Sequence, residues 1–387
     1  MSHSNILNNN SNGLNDNSNI LNDTRNGLND NSDILNNDVD DLGEQLSYLD
    51  QEIQHIKNVK NNLHKIQHRI GKHTDSLICH KKRTDRVYLD VIAVLSNPVE
   101  YNSRYNLFKE FCVRMRKEPQ VRLFTVELQH RNKPFITDAN IKLRTSDELW
   151  HKENMINIAT QNLPRGWEYM AWIDADIEFL RKDWVAETIR QLQHYDIVQL
   201  FSNAINMGPN NKYLEKYNGF CYQWHQQQKY ISPQSNPYKE FWHTGYGFAI
   251  RREMYDKLGG LIEFPILGAA DHHMCKAWIG RISESFPSEI NPNYKTLCEN
   301  YQKRCDRHLQ QNIGYVEGTI IHYWHGKKAD RKYRERWDIL TNNDYDPLMD
   351  IKKDSNNLWI LEGNKHKFRD DLRYYFRARN EDSVDVE

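Results

Sequence analysis

The chain of 387 residues is long enough for one large domain, or for two ordinary domains with extensions. Its 52 basic and 53 acidic residues nearly cancel, so no overall charge favours nucleic acid or an anionic membrane surface as a partner. The sequence has no apolar run of about 18 residues and no basic-then-apolar start of the kind that marks a secretory signal. We therefore expect no membrane span and a cytoplasmic location.

The cysteines give no sign of a disulfide framework. Six are present, and their spacing does not repeat. Cys298, Cys305 and His308 carry groups that zinc accepts, but the two cysteines lie farther apart than the spacing of about two to four residues that is usual in zinc sites. We expect neither a disulfide scaffold nor a structural zinc site.

The N-terminal part is built on a period of seven residues. Residues 1–37 are rich in Asn and repeat a short Ile-Leu-Asn or Gly-Leu-Asn unit. Leu or Ile recurs at every seventh position from Leu7 to Leu77, and a second apolar edge is present at Leu46 and Ile53. This pattern predicts a coiled-coil stalk over residues 38–80 through which the chain forms a homo-oligomer. The alternative for residues 1–37 is low-complexity sequence that stays disordered.

After a basic linker at Lys81–Asp85, predicted strands and helices alternate along the chain. This order is typical of a parallel α/β sheet and predicts one domain over residues 85–345, followed by a helical extension and tail over residues 346–387. The expected elements are strands at Val87–Leu95, Val121–Glu127, Tyr169–Ile173 and Asp196–Phe201, and helices at Ser103–Met115 and Thr145–Leu163, the second capped by Ser146.

The predicted site depends on the strand Tyr169–Ile173. The strand is short, bulky and continuously apolar, which is typical of a central strand buried on both faces. Asp174 and Asp176 follow it at the edge of the sheet where α/β proteins bind ligands, and two acids at this spacing can hold a divalent cation that binds phosphate oxygens. Asp-x-Asp also occurs at Asp38/Asp40 and Asp344/Asp346, but only the middle pair follows a strand.

Three later segments add Gly, His and aromatic residues in a fixed order: Phe241–Glu253, Leu258–Met274 and Ile320–Tyr333. Together with the acidic pair, they make the chain resemble nucleotide-sugar-dependent glycosyltransferases of the GT-A fold over roughly Val87–Leu340, of the kind found in families 2 and 7. The resemblance implies an α/β fold with a Rossmann-like nucleotide-binding sheet and an acceptor subdomain. It extends to enzymes encoded by large DNA viruses, which would place the work in a host cytoplasm or on virion glycans.

The resemblance implies a metal that neutralises the diphosphate leaving group. Asp176 would be a direct ligand, and Asp174 would touch the ribose or the metal. His325 resembles the late histidine that completes such sites, with His322 as the alternative ligand. Oxygen ligands with one imidazole suit Mn²⁺, with Mg²⁺ as the alternative. Further along, basic residues would sit beside the diphosphate: Lys327, Lys328 and Arg331.

Asp271 resembles the general base of inverting members. It would take the proton of the acceptor hydroxyl as that hydroxyl attacks the anomeric carbon from the face opposite UDP. The sequence departs from inverting galactosyltransferases beside this acid, where Ala270 replaces a glutamate and His272 and His273 replace acids. His272 is accordingly expected at the sugar site. The alternative role for Asp271 is the N-cap of a helix at Met274–Gly280.

The same resemblance implies residues for the nucleotide and the sugars. The nucleotide would be held by Ser96, Asn97 and Glu127 after the first two strands and by Lys152 and Asn157 on the helix before the central strand. The sugars would meet Gly245 and Gly247, where backbone can approach closely, and a stacking wall of Trp242, His243 and Tyr246. The alternative for this last segment is a tight turn surrounded by core aromatic residues.

These expectations describe a metal-dependent, inverting glycosyltransferase that moves a sugar from a UDP-sugar to a hydroxyl of a glycan or glycoprotein. A metal-dependent phosphoesterase or nuclease is the first alternative, but it would need a denser carboxylate cluster and, for nucleic acid, a basic face. A coiled-coil scaffold with a degenerate enzyme domain is the second.

Overall fold

The structure is a computed structural model that describes residues 53–54, 87–226 and 242–386. The chain divides into two compact units, Met1–Asp85 and Arg86–Glu387, and the second unit is described below. The repeats at residues 1–37 and all but two residues of the coiled coil at 38–80 lie outside the described residues, so both stay predictions.

Among the described residues, seven strands form the main sheet. Their spatial order is β11 (Ile313–Tyr315), β6 (Ile197–Gln199), β10 (Gly247–Arg251), β4 (Tyr169–Ile173), β1 (Leu89–Ser96), β2 (Val121–His130) and β3 (Ile141–Thr145). β1 to β4 are parallel, whereas β10 is antiparallel to both of its neighbours. The carboxyl ends of β1 and β4 therefore meet at one edge of the sheet, which is where α/β folds place their ligand sites.

A second sheet of five strands extends from this edge in the part of the chain that the structure describes. Its order is β5 (Ile177–Phe179), β12 (Thr319–His322), β7 (Asn203–Met207), β8 (Tyr213–Gly219) and β9 (Trp242–His243). A separate antiparallel ribbon consists of β13 (Ile351–Lys353) and β14 (Trp359–Leu361). Because β5 begins only four residues after β4 ends, the segment between them joins the two sheets.

Helices cover the main sheet on both sides. Among the described residues of this unit, the α-helices are α1 (Asn102–Met115), α2 (Lys152–Thr160), α3 (Trp184–Gln191), α4 (Phe220–His225), α5 (Arg252–Leu258), α6 (Ala270–Trp278), α7 (Pro292–Arg304), α8 (Glu335–Asn342) and α9 (His366–Ala378). Short 3₁₀ turns are present at Pro209–Asn211, Ile282–Ser285 and Ala329–Arg331, and a π-helical turn at Cys305–Leu309. Within the described ranges, no helix has both the length and the apolar character needed to cross a bilayer.

The central strand β4 is buried on both faces, as predicted. Tyr169, Ala171 and Ile173 contribute to one apolar cluster with α1 and α3, while Met170 and Trp172 contribute to a second cluster with α2 and α6. Successive side chains of a strand point to opposite faces, so this five-residue strand is anchored in two core layers at once. The predicted α/β sheet is confirmed, and its central strand β4 ends at Ile173, directly before Asp174.

The predicted helix Thr145–Leu163 is wrong in its first turns. Thr145 is the last residue of β3, where it pairs with His130 of β2, and α2 begins only at Lys152 after His151. Ser146 therefore caps no helix. The pattern of apolar residues was correct, but Leu149 is buried from a loop rather than from a helix face. The pairing of Thr145 with His130 in the sheet overrides local helical preference here.

His130 is expected to make the stability of the domain depend on pH. It is 3% exposed, and neither ring nitrogen has a hydrogen-bond partner among the described residues. Burial lowers the pKa of His130 from 6.5 to about 4, so the folded protein keeps the ring neutral where the unfolded chain protonates it. Because the unfolded state then binds more protons, the free energy of unfolding falls as the pH falls from about 6.5 toward 4.

Urea unfolding of the parent and of His130→Leu at several pH values between 7 and 4.5 measures this contribution. We expect the parent to lose stability more steeply as pH falls, by up to about 1.4 kcal/mol per pH unit relative to the variant. Equal slopes for the two proteins would contradict a neutral buried imidazole at this position.

Candidate metal centre and active site

Strand pairing brings Asp176 next to His322. Asp176 immediately precedes β5, and the first residue of β5, Ile177, is the register partner of His322 at the end of β12. The backbone N–H of Tyr323 donates to the carbonyl of Asp176, which extends the pairing by one step. Two residues separated by 146 positions in the chain thus share one end of a two-stranded ladder.

His325 reaches the same point from the turn that follows β12. Its Nε2 lies 3.0 Å from Oδ2 of Asp176 and 3.2 Å from Nε2 of His322, and the His322 nitrogen lies 3.8 Å from the same carboxylate oxygen. Ligand atoms around one ion with bonds of about 2.1 Å stand about 3.0 to 3.5 Å apart. Two sides of the triangle formed by the three atoms lie in this range, and the third, at 3.8 Å, is slightly longer, so a small movement of His322 brings all three to the spacing of ligands around one cation.

The protonation of these groups also fits a cation. Burial lowers the pKa of both histidines, so each keeps a free lone pair at neutral pH. Burial alone would raise the pKa of Asp176, but His322 and His325 hold it below its usual range, and the group stays a carboxylate. Its other oxygen, Oδ1, is buried without a hydrogen-bond partner among the described residues. An oxygen and two nitrogens that converge in this way fit a divalent metal ion.

Asp174 is placed differently from Asp176. Its carboxylate forms an ion pair with Lys152 at the start of α2, and it is not among the three groups whose ligand atoms converge. In the described part of the chain, Asp176, His322 and His325 are the only such group of three. The structure thus pairs the first acid of the motif with a lysine, although the sequence had suggested the ribose or the metal. It also brings both histidines to the site, although the sequence had suggested one.

Single replacements of the two histidines test this geometry. His322→Ala and His325→Ala are each expected to weaken Mn²⁺ binding by more than about 100-fold, since removal of a direct ligand costs more than removal of a supporting group. Calorimetric titration of the metal-free proteins with Mn²⁺ measures the effect. A variant that binds Mn²⁺ as tightly as the parent would remove that histidine from the ligand set.

The metal-ligand triangle lies in the wall of a cleft of about 1190 Å³. Cavities for a single small ligand are commonly about 300 to 1,000 Å³, so this cleft is somewhat larger than one small ligand needs. Of the residues predicted for the site, those that line the cleft are Ser96, Asn97, Lys152, Asp174, Asp176, His243, Gly245, Tyr246, Asp271, His272, His322, His325, Lys328 and Arg331.

Asp271 lines the same cleft from the first turn of α6. The helix begins at Ala270, one residue earlier, so Asp271 is not its N-cap and the predicted start at Met274 is wrong. Oδ1 of Asp271 accepts a hydrogen bond from the backbone N–H of His272, and Oδ2 lies 3.2 Å from the point that a Cβ on Gly245 would occupy. The absence of a side chain at Gly245 leaves space above this carboxylate oxygen.

Two residues close to Asp271 have a strained backbone, one just before it in the chain and one in the segment of Gly245. Ala269, which precedes α6, has φ of +88°, and Tyr246, which follows Gly245, has φ of +76°. L-residues with side chains rarely adopt this left-handed region, and such strain persists where the surrounding structure fixes a functional geometry. Tyr246 is held by a hydrogen bond from its hydroxyl to Oδ1 of Asn206 and by stacking on His243 at 3.8 Å between ring centroids.

The predicted stacking wall is only partly at the cleft. His243 and Tyr246 line it, and burial lowers the pKa of His243 to about 3, so that ring is neutral. Trp242 instead packs edge-to-face on Phe220 in the core at 5.5 Å and does not line the cleft. Gly247 starts β10, where a Cβ would lie 3.2 Å from Cδ1 of Leu200, so its small size serves strand packing rather than donor approach.

Two predicted nucleotide ligands lie outside the cleft. The carboxylate of Glu127 is fully buried and accepts hydrogen bonds from the backbone N–H groups of Ile136 and Thr137, so it anchors a loop. Both polar atoms of the Asn157 amide bond to the backbone of Leu261. Neither group is free to meet a uracil, and both predictions are corrected.

Asn97 lines the cleft, but its side chain holds the loop after β1. Nδ2 donates to the carbonyl of Tyr101, and Oδ1 accepts from the backbone N–H of the same residue. Ser96 and Lys152, which were also predicted to bind the nucleotide, line the cleft as well. The end of the cleft beside the carboxyl end of β1 therefore carries these polar side chains, and their role toward a nucleotide stays a prediction.

Of the three basic residues predicted after β12, two line the cleft and one does not. Lys328 pairs with Glu215 and Tyr217 at the cleft, and Lys327 does not line it. Nη2 of Arg331 lies 3.2 Å from Nε2 of His325, and its Nε is buried without a hydrogen-bond partner in the described residues. Arg331 thus brings a guanidinium group to the metal-ligand triangle, where an anionic ligand would satisfy it.

Sequence reasoning missed the residues that the C-terminal segment adds to the cleft. Arg379 and Glu381 line it together with Arg104 from α1. No periodicity or motif marks the tail as part of a site, and nothing in the sequence pairs it with a helix more than 270 residues earlier. The predicted extension at residues 346–387 packs within the same compact unit as the sheet.

Comparisons at the level of sequence return nothing. No family model matches the chain, and no curated protein matches it.

Several solved structures show a distant similarity in backbone arrangement. The catalytic domain of Drosophila β1,4-galactosyltransferase 7 in complex with xylobiose aligns with a TM-score of 0.33 and 13% identity, over 73% of this chain and 98% of that one. A mutant of the same enzyme in complex with manganese, UDP-Gal and xylobiose gives 0.33 and 11% over the same shares. A mannosyltransferase from Pyrobaculum calidifontis in complex with GDP-Man and Mn²⁺ gives 0.30 and 17%, over 51% of this chain and 52% of that one.

Proposed function

We propose that this chain is a metal-dependent glycosyltransferase of the GT-A fold that moves a sugar from a UDP-sugar to an acceptor hydroxyl with inversion. One observation carries the proposal: Asp176, His322 and His325 converge within one cleft whose wall also presents the unshielded carboxylate of Asp271. A cation-binding corner and a separate carboxylate in one cleft provide the two functions that inverting transfer needs, namely support for the leaving group and removal of a proton.

The donor end of the cleft is assigned to the side of Asp176. A divalent cation held there supplies positive charge to the diphosphate as it departs. Arg331 adds a permanent positive charge beside His325, and its Nε, which has no hydrogen-bond partner in the described part of the chain, can donate to a phosphate oxygen. Lys152 neutralises Asp174, which prevents an unpaired second carboxylate from repelling the diphosphate.

Mn²⁺ is the favoured cation in this proposal. Two imidazoles and one carboxylate form a donor set with more nitrogen than Mg²⁺ prefers, since Mg²⁺ binds oxygen ligands almost exclusively. A divalent transition metal accepts both kinds of ligand. The second histidine therefore moves the expectation from Mn²⁺ or Mg²⁺ toward Mn²⁺.

The acceptor end is assigned to the side of Asp271. Its Oδ1 is held by the N–H of His272, while Oδ2 faces the space above Gly245, so one oxygen is fixed and the other is available to a hydroxyl proton. Burial lowers the pKa of His272 to about 3, so this ring lines the cleft as a neutral group and does not compete for the proton. Asp271 is in this way positioned as the general base for attack opposite the leaving group.

The alternative of a phosphoesterase or nuclease lacks support at this centre. Two-metal phosphoryl chemistry uses bridging carboxylates around ions about 4 Å apart, whereas the described residues offer one carboxylate and two imidazoles in a single cluster. The acid nearest in sequence, Asp174, is already paired with Lys152.

A UDP-release screen tests the proposed function. The purified chain is incubated with a panel of UDP-sugars and Mn²⁺, because glycosyltransferases hydrolyse their donor slowly even without an acceptor. Release from one donor above the others, lost when the metal is chelated, is the expected result. No release from any UDP-sugar, together with no rise in melting temperature when UDP and Mn²⁺ are added, would favour a scaffold with a degenerate enzyme domain.

A further inference from the structure

The last residues of the described chain form hydrogen bonds with the start of α1 and with the loop after β12 that carries His325. The two carboxylate oxygens of Asp382 accept hydrogen bonds from the backbone N–H groups of Asn102 and Ser103 at the start of α1. On the other side, the indole N–H of Trp324 donates to the carbonyl of Ser383. A Cβ on Gly326 would lie 2.9 Å from the carbonyl oxygen of Asn380, so the loop and the tail approach as closely as backbones can.

Glu381 is the tail residue that points into the centre. It is 1% exposed, and its Oε1 accepts from Nη2 of Arg104 at 2.7 Å and from Nε of Arg379 at 2.6 Å. Oε2 accepts from Nε of Arg104. Burial would raise the pKa of Glu381, but the two arginines hold it well below its usual range, so the carboxylate is ionised.

Oε2 of Glu381 also lies near the imidazole ring of His325. Nδ1 of that ring lies 3.8 Å from Oε2, and it has no hydrogen-bond partner among the described residues. The opposite nitrogen, Nε2, is the atom that faces Asp176 and His322. Glu381 and the three-group cluster therefore stand on opposite sides of one imidazole ring, and a movement of about 0.7 Å would complete a hydrogen bond of ordinary length.

We propose that Glu381 is a positioning residue for His325: its carboxylate accepts the Nδ1 proton and so leaves the Nε2 lone pair free for the metal. The inference rests on the metal centre of the proposed function. A neutral imidazole carries its proton on one nitrogen only, and the hydrogen bond made by one nitrogen decides which atom binds a metal. An ionised carboxylate can only accept, so Glu381 favours the proton on Nδ1. Asp176, 3.0 Å from Nε2, acts on the other nitrogen in the same way until a cation takes its place between them, and Glu381 is the acceptor that remains for the ring when the cation is bound.

A purely structural role is the competing explanation. On that account, Glu381 only neutralises Arg104 and Arg379, and its distance from His325 has no consequence. The two accounts agree on stability and differ on the tautomer of His325 and on metal affinity, so the test must read those two properties.

Glu381→Gln separates them because an amide can donate where a carboxylate cannot. The amide oxygen is drawn to the two arginines, which leaves the NH₂ group facing Nδ1 of His325 and favours the proton on Nε2. We expect Mn²⁺ affinity, measured by calorimetry, to fall about 10- to 100-fold. The control is Asp382→Asn, which makes the same change of charge one residue away and keeps an acceptor for α1. Its Mn²⁺ affinity is expected to change less than about threefold.

The tautomer is read directly in the parent loaded with Zn²⁺, a diamagnetic ion that accepts the same ligands, by long-range ¹H–¹⁵N correlation with ¹⁵N-labelled histidine. The His325 signal is assigned from its loss in a His325→Gln sample. The expected result is the Nδ1–H form in the parent and in Asp382→Asn. The Nε2–H form in the parent overturns the proposal even if Glu381→Gln fails to fold, and so does equal Mn²⁺ affinity of Glu381→Gln and Asp382→Asn. A parent that binds Mn²⁺ in the Nδ1–H form but releases no UDP from any donor would end the glycosyltransferase assignment and leave the role of Glu381 standing.

Discussion

Asp176→Asn is expected to abolish Mn²⁺-dependent release of UDP while leaving the fold intact. The carboxylate is the only anionic group among the three that converge, so its loss removes the charge that attracts the cation as well as one ligand atom. Loss of one preorganised electrostatic group in an active site costs about 10² to 10³ in rate, and loss of the ion itself costs more. The measurements are UDP release with the preferred donor and calorimetric titration with Mn²⁺.

The fold should tolerate this change because Asp176 follows β4 rather than packing in its core. The backbone carbonyl of Asp176, which accepts from Tyr323, is unaffected by the substitution. Asp344→Asn is the matched control, since Asp344 belongs to another Asp-x-Asp pair that does not line the cleft and pairs with Asn291. That control should retain full activity. An Asp176→Asn protein that releases UDP at the parent rate in Mn²⁺ would refute the metal assignment.

The centre of the sheet could be predicted from the sequence because its signals are local. An apolar run with no alternation identifies β4, and the acids that follow it must lie at its carboxyl end. Nothing further was needed to place Asp174 and Asp176 at a ligand-binding edge. The same reasoning could not tell the two acids apart, since their difference lies in Lys152, which reaches Asp174 from a helix whose start the sequence misplaced.

Residues that depend on pairing at long range were beyond such reasoning. His322 joins His325 because β12 pairs with β5, and no local pattern specifies that register. Glu127 was expected at the cleft because it lies near the carboxyl end of a strand, but β2 continues to His130 and buries it beneath a loop. Because the strand end was predicted three residues too early, Glu127 was expected to bind a ligand, whereas in the structure it holds a loop in place.

The C-terminal tail illustrates the same limit for charge. Arg104, Arg379 and Glu381 come together only in the folded chain, where their mutual pairing makes burial of the carboxylate possible. In the sequence they are ordinary charged residues of a helix and a polar tail. Their position beside His325 depends on the hydrogen bonds that hold the tail against the start of α1, which no sequence pattern indicates.

Asp271→Asn is expected to lower the rate of sugar transfer by about 10² to 10⁴ while leaving donor binding nearly unchanged, which is the typical effect of removing a positioned general base. The substituted side chain can still accept the hydrogen bond from the N–H of His272, because its amide oxygen can occupy the position of Oδ1. What is lost is the basic oxygen that faces the space above Gly245. Donor affinity is measured by calorimetry with UDP-sugar and Mn²⁺, and transfer by product formation once the acceptor is known.

The competing role for Asp271 is electrostatic support of α6, since it lies in the first turn of that helix. An acid there stabilises a helix by about 0.3 to 1 kcal/mol, and such a loss would lower the melting temperature without a selective effect on transfer. Glu253→Gln is the matched control, because Glu253 occupies the first turn of α5 outside the cleft. It should show a similar small loss of stability and the full rate of transfer. Equal transfer rates for Asp271→Asn and Glu253→Gln, or a parent product of retained anomeric configuration, would exclude Asp271 as the base of an inverting reaction.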